Sequence, residues 1–106
     1  MLGSSVRFAQ VDTSTSGDQT VVAAVAGKRI LVCALVLNPA AETDLVFKSG
    51  STEIVDLGGF RGTDEPPGLG LSFSPHGYFE TAAGQALVMN VNGAVAVRGF
   101  VNYILR

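Results

Sequence analysis

At 106 residues the chain has room for one domain, and a chain of that size hides only about two-thirds of its unfolded surface when it folds alone. Of these residues 47% are hydrophobic and 15% charged, against a usual charged share of about 25%, so more apolar surface is present than a small monomer easily covers and a partner surface is expected. A net charge of −2 with seven scattered basic residues excludes a phosphate-neutralising stripe and with it nucleic-acid binding; the apolar runs fall far short of the roughly 18 residues of a membrane helix.

Taken in order, residues 1–5 read as a loose start without the basic and apolar blocks of a secretory leader. Val6, Phe8 and Gln10 then alternate with Arg7 and Ala9 in a first strand ending near Asp12, followed by the polar turn TSTSGD. A β-branched run over 19–25 predicts a second strand, and Ala26-Gly27-Lys28 a short reversal into a third. Residues 29–37 are apolar on both alternating faces, the pattern of a central strand covered on both sides, and Asn38-Pro39 stops it. In this strand the alternation groups Cys33 with Leu31, Leu35 and Leu37. As the sole cysteine it forms no internal disulfide and reads as a small buried hydrophobe.

The fourth strand, 43–48, sets Leu45 and Phe47 against Asp44, Val46 and Lys48, and Ser49-Gly50-Ser51 predicts a hairpin into a fifth strand over 52–57. Residues 58–68 lie in a Gly/Pro-rich stretch with neither helical nor strand period, read as a surface loop of the kind that carries binding. Leu69, Leu71 and Phe73 alternate in a short sixth strand. An irregular segment follows, in which Pro75, Gly77 and Gly84 set the backbone. Residues 86–91 predict a seventh strand, Asn92-Gly93 a type I′ hairpin, and 94–105 an eighth with Val95, Val97, Gly99, Val101, Tyr103 and Leu105 on one side. About eight short strands without a helix predict an all-β, two-sheet antiparallel sandwich of jelly-roll type, with 1–106 as a single domain.

The search for chemistry centres on residues 71–87, which hold the only histidine, His76. A Ser/His/Asp arrangement would need an oriented partner for it, and the sequence names none. The acids are dispersed, only Asp64 and Glu65 being adjacent, and their spacing fits no calcium loop. No catalytic, cofactor-binding or metal residue is therefore expected. Phe79 reads as an anchor of the corner, with Glu80 accepting backbone N–H groups from the turn after it. Tyr78 and Phe79 are alternatively candidates for a subunit contact, where aromatics are enriched. With His76, Phe60 and Arg61 they make up the candidate interface, and Gly27, Pro75, Gly77, Gly84, Asn92 and Gly93 the structural turns.

The C-terminal stretch FSPHGYFETAAGQALVMNVNGAVAVRGFVNYILR has a Pro-Gly-aromatic corner leading to ET-x-x-G-x-AL, an N-x-N hairpin and a last strand through Tyr. With the earlier GKRI turn and VFKSGST hairpin, it resembles small jelly-roll virion proteins of tailed bacteriophages, of the head decoration or cement type. The stretch GGFRGTDEPPGLG departs from that pattern. The resemblance implies a non-enzymatic protein of the capsid surface, made in the host cytoplasm, that assembles as a homotrimer and bridges subunits of the major capsid protein without a cofactor. The competing expectation is a carbohydrate-binding jelly-roll module of a tail or fibre, with Phe60, Arg61 and Tyr78 as its platform.

Overall fold

The computed structural model describes residues 5–41, 43–60 and 68–106. They form nine strands: β1 (Arg7–Thr13), β2 (Gly17–Val22), β3 (Ile30–Pro39), β4 (Thr43–Ser49), β5 (Thr52–Phe60), β6 (Leu69–Leu71), β7 (Phe79–Glu80), β8 (Leu87–Val91) and β9 (Val97–Leu105). No helix occurs among the described residues, so none is long and apolar enough to cross a membrane.

The antiparallel pairs nest inside one another: β1 with β9, β2 with β8, β3 with β6 and β7, β4 with β5. Such a chain is one long hairpin whose tip is the turn between Ser49 and Thr52. Rolling it up sends alternate pairs to opposite layers. One sheet, called A here, has the order β1-β9-β3-β6, with β7 also on β3; the other, sheet B, has the order β2-β8-β4-β5. This is the jelly roll. The expected eight strands are recovered when β6 and β7 are taken as two halves of one strand interrupted at 72–78.

The nesting corrects one turn read from sequence and shows where another leads. Asn92-Gly93 does not close a hairpin, because β8 and β9 lie in different sheets. Nor is it type I′: only Gly93, at φ +102°, has positive φ there. Asn92 is instead pinned to sheet B, its N–H donating to the Asp44 carbonyl at 3.1 Å and its carbonyl accepting the Thr43 hydroxyl at 2.8 Å. The Gly27 reversal, at φ +73°, likewise carries the chain from sheet B to sheet A. Only the tip, Ser49 to Thr52, is the hairpin expected.

Between the sheets lie Val11, Ile30, Val32, Leu35, Leu37, Leu45, Phe47, Leu87, Met89, Val91, Val97 and Val101, all buried. Each such side chain contributes about 1.5–3 kcal/mol relative to exposure. Two strands present faces other than those expected. In β1 the inward residues are Ala9 and Val11, which puts Phe8 outside. In β3 a bulge between Val32 and Ala34 inserts Cys33 as an extra residue, so the inward set is Ile30, Val32, Leu35 and Leu37. Leu31 and Cys33 leave the inter-sheet core yet stay buried. Gly99 on β9 marks the tightest approach in sheet A: a Cβ there would stand 1.8 Å from the Val36 carbonyl oxygen.

Candidate interaction surface

Residues 72–78 leave β6 and rejoin the same edge of β3 as β7, opposite the Cys33 bulge. The Ser74 N–H donates to the Cys33 carbonyl and the Tyr78 N–H to the Val32 carbonyl, each at 2.8 Å, while the Gly77 N–H closes a turn onto Ser74. The extra residue in β3 thus answers the interruption in its neighbour. Gly77 packs onto Leu31 so closely that a Cβ would fall 2.3 Å from Leu31 Cδ1, and its φ of +78° suits glycine. Burial pushes the Cys33 thiol above its ordinary pKa, opposed weakly by the Arg106 charge. That is the setting of a packing cysteine.

On this segment Pro75 and His76 are exposed, and Phe73 and Tyr78 are 51% and 45% exposed. The Tyr78 hydroxyl donates to the Ser72 carbonyl at 2.6 Å, bracing the ring. Phe79 points the other way and meets Phe47 with ring centroids 5.2 Å apart. The Glu80 carboxylate accepts the Arg106 guanidinium at 2.6 Å. The turn after it is held by Ser49, whose hydroxyl accepts the Ala82 N–H and donates to Gln85, and by Thr81 at the N–H of Ile30. Gly84 turns at φ +76°. Of the candidate interface, then, His76 and Tyr78 share an exposed segment and Phe79 lines the core. The Phe60 side chain and Arg61, with the stretches 1–4 and 61–67, lie outside what the structure describes; Phe60 itself closes β5.

A second exposed aromatic group was not anticipated. On the outer face of sheet A, Phe8 is 65% exposed and stacks on half-buried Phe100 with ring centroids 5.5 Å apart. Val36, opposite Phe100, and Ile104, opposite Leu31, share this face, with half-buried Asn102 between Phe100 and Ile104. Ion pairs bound it at both ends: Arg98 with Asp12 at 3.6 Å and Arg106 with Glu80 at 2.6 Å. The signal in the sequence was ambiguous, because Val6/Phe8 and Ala9/Val11 each form an apolar set of opposite parity.

The outer face of sheet B carries a polar network beside Val46 and Val88. Asp18 on β2 receives Lys48 Nζ from β4 at 3.0 Å and Asn90 Nδ2 from β8 at 2.7 Å, which ties three adjacent strands together. The Asn90 hydrogen bond, then that of Lys48, holds the Asp18 carboxyl below its ordinary range. Among the described residues no cluster of three or more His, Cys, Asp or Glu is placed to hold a metal.

No protein-family model matches the chain, and no curated protein matches it. Among solved structures, it is similar to a chain of the virus-like particle of the extra small virus of the giant freshwater prawn Macrobrachium rosenbergii. The two are 19% identical with a TM-score of 0.45, the match covering 98% of this chain and 80% of the other. At that distance the likeness assigns no role here.

Proposed function

We propose that the chain is a non-enzymatic structural protein of a virion, a jelly-roll unit that works by assembling with copies of itself on a capsid. The observation that carries this reading is the contrast between the outer faces: sheet B ends in a self-satisfied polar network, whereas sheet A ends in a stacked, exposed aromatic pair and an apolar strip. An apolar strip bounded by charge is the anatomy of a protein contact. The jelly roll is a fold shared by viral capsid and lectin domains, and the sequence resemblance favours the first. In the finer form of the reading, the protein is a homotrimeric decoration protein at the virion surface that clamps neighbouring coat subunits. Repeated contacts on a symmetric shell turn modest single affinities into high avidity.

Two measurements test it. The solution mass of the purified chain is expected to be a multiple of three chains, and a monomer at tens of micromolar counts against assembly. Immunolabelling of purified particles is expected to place the protein on the capsid; label on tail fibres would instead favour the carbohydrate-binding reading.

A further inference from the structure

Four margins end the two sheets, and three are guarded. β2 carries an extra residue between Thr20 and Val22. β5 carries an extra residue twice, where Asp44↔Gly59 is followed by Val46↔Asp56 and Phe47↔Val55 by Lys48↔Glu53. The margin formed by β6 and β7 is broken into pieces of three and two residues. Bulges and interruptions of this kind spoil an edge as a template for another strand. β1 differs. It runs seven residues in unbroken register against β9, with no bulge or Pro and with its charged residues, Arg7 and Asp12, toward its two ends, and among the described residues no strand pairs its other side. Exposed apolar groups also gather there: Phe8 on the strand and Val6, 49% exposed, just before it.

We propose that β1 is a docking edge for a second copy of this chain, the two β1 strands pairing antiparallel about a two-fold axis beside Phe8. An axis normal to the sheet keeps the two core faces on the same side, so opposed residues must share a face. Four registers satisfy this, centred on Phe8, Ala9, Gln10 or Val11, the last of which carries Phe8 past the end of the partner strand. Centred on Ala9 or Gln10, they set Phe8 against the partner's Gln10 or the partner's Asp12. Centred on Phe8, the register sets ring against ring. It extends the Phe100–Phe8 stack, with its 5.5 Å centroid spacing, into a ladder of four aromatics. It also leaves Asp12 with Arg98. The edge therefore fits best a strand bearing an aromatic at its own centre, which a second copy supplies.

The available area is adequate. β1 and β2 border the same side of the sandwich, with a cleft of about 130 Å³ between them lined in part by Val11, Val21 and Met89. In the Phe8-centred register residues 5–11 oppose one another, seven at about 3.4 Å each, which across two sheets about 10 Å apart with their side-chain layers gives on the order of 500 Å² in plan. Side-chain relief brings the accessible surface near the ~800 Å² per partner of a standard interface. The contact does not rest on the virion reading. If the trimer forms elsewhere on the surface, a two-fold at β1 joins protomers of adjacent trimers, as a closed shell requires.

Light scattering on the full chain at tens of micromolar, alongside Phe8→Asp, Phe8→Cys and Gln10→Cys with buried Cys33 left in place, tests the proposal. The wild type is expected to hold an even number of chains, and Phe8→Asp to halve that number with at least tenfold weaker association. Thermal melting should show Phe8→Asp still folded. Under mild oxidation Phe8→Cys is expected to give a disulfide-linked pair, since directly opposed residues stand within disulfide reach, and Gln10→Cys is expected not to. A monomeric or three-chain wild type, a mass unchanged by Phe8→Asp, or crosslinking of Gln10→Cys as ready as that of Phe8→Cys would overturn it. A six-chain wild type falling to three would support the edge contact and the trimer together, and two falling to one would support the edge contact against the trimer.

Discussion

The outer faces of the two sheets come from strands of the same jelly roll, yet they end differently. On sheet B, Asp18, Lys48 and Asn90 satisfy one another across three strands, so water and neighbouring side chains complete the surface. On sheet A the middle of the face is Phe8, Phe100, Val36 and Ile104, with charge only at its ends, and residues 72–78 already cover Leu31 and hydrogen-bond the Cys33 backbone. The same strand pattern thus leaves one outer face tied by a polar network and the other with an exposed aromatic pair. Apolar side chains on the core side and on the outer face of sheet A respond to the same hydrophobic force. They differ only in whether this chain supplies the cover.

Four substitutions, with a fifth as control, break or sharpen that contrast, in falling order of effect on stability. Phe47→Ala removes a fully buried ring that also meets Phe79 and is expected to cost about 3–5 kcal/mol. In urea denaturation both sheets should melt together, and a loss under about 1 kcal/mol would mean Phe47 is not central. Gly77→Ala sets a Cβ against Leu31 at positive φ, with an expected cost of about 1–3 kcal/mol. Because the cover then lifts from sheet A, Cys33 should react faster with a thiol reagent. Gly93→Ala, with positive φ but open space around it, is the control and should leave that reactivity unchanged.

Asp18→Asn tests sheet B. Its expected cost at neutral pH is under about 1 kcal/mol, since the pair is solvent-exposed. The folded carboxyl titrates below its unfolded value of 3.8, so the stabilisation is fully present above that value and fades as pH falls through the folded one. The gap between wild type and variant should be flat from roughly pH 5 upward and close under stronger acid; a gap that widened in acid would contradict the assignment. Phe8→Ser is expected to change unfolding of the isolated chain by no more than about 0.5 kcal/mol. A loss of several kcal/mol measured in dilute solution, where copies are apart, would place Phe8 in the core's service and erase the contrast.

Much of the fold was legible. The alternation of Leu45 and Phe47 in β4 and that of Val97, Val101 and Tyr103 in β9 carry their own direction, because each has one parity that buries its apolar set, and the apolar run of β3 marks a central strand without stating its faces. The tip at Gly50 was legible for the same local reason: its turn needs a residue at φ +58° and the next strand is its immediate partner. Asn92-Gly93 was not. A turn dipeptide states that the chain reverses, and whether it returns to the same sheet or crosses to the other depends on which strand has already taken the neighbouring edge. Strand β4 holds that place beside β8, and β9 goes to β1 and β3.

The candidate surface divides along the same line. Residue types determined by themselves that the chain is β-rich, apolar beyond the needs of a small monomer, and bent sharply around Pro75, Gly77 and Gly84. Only the tertiary structure decided which apolar residues remain outside. A one-residue bulge at Cys33 reverses the faces of one strand, and in β1 two apolar sets of opposite parity compete for the core. Side-chain period two makes both faces equally available to the local sequence; packing against β9 and the opposite sheet selects Ala9 and Val11, and so leaves Phe8 exposed.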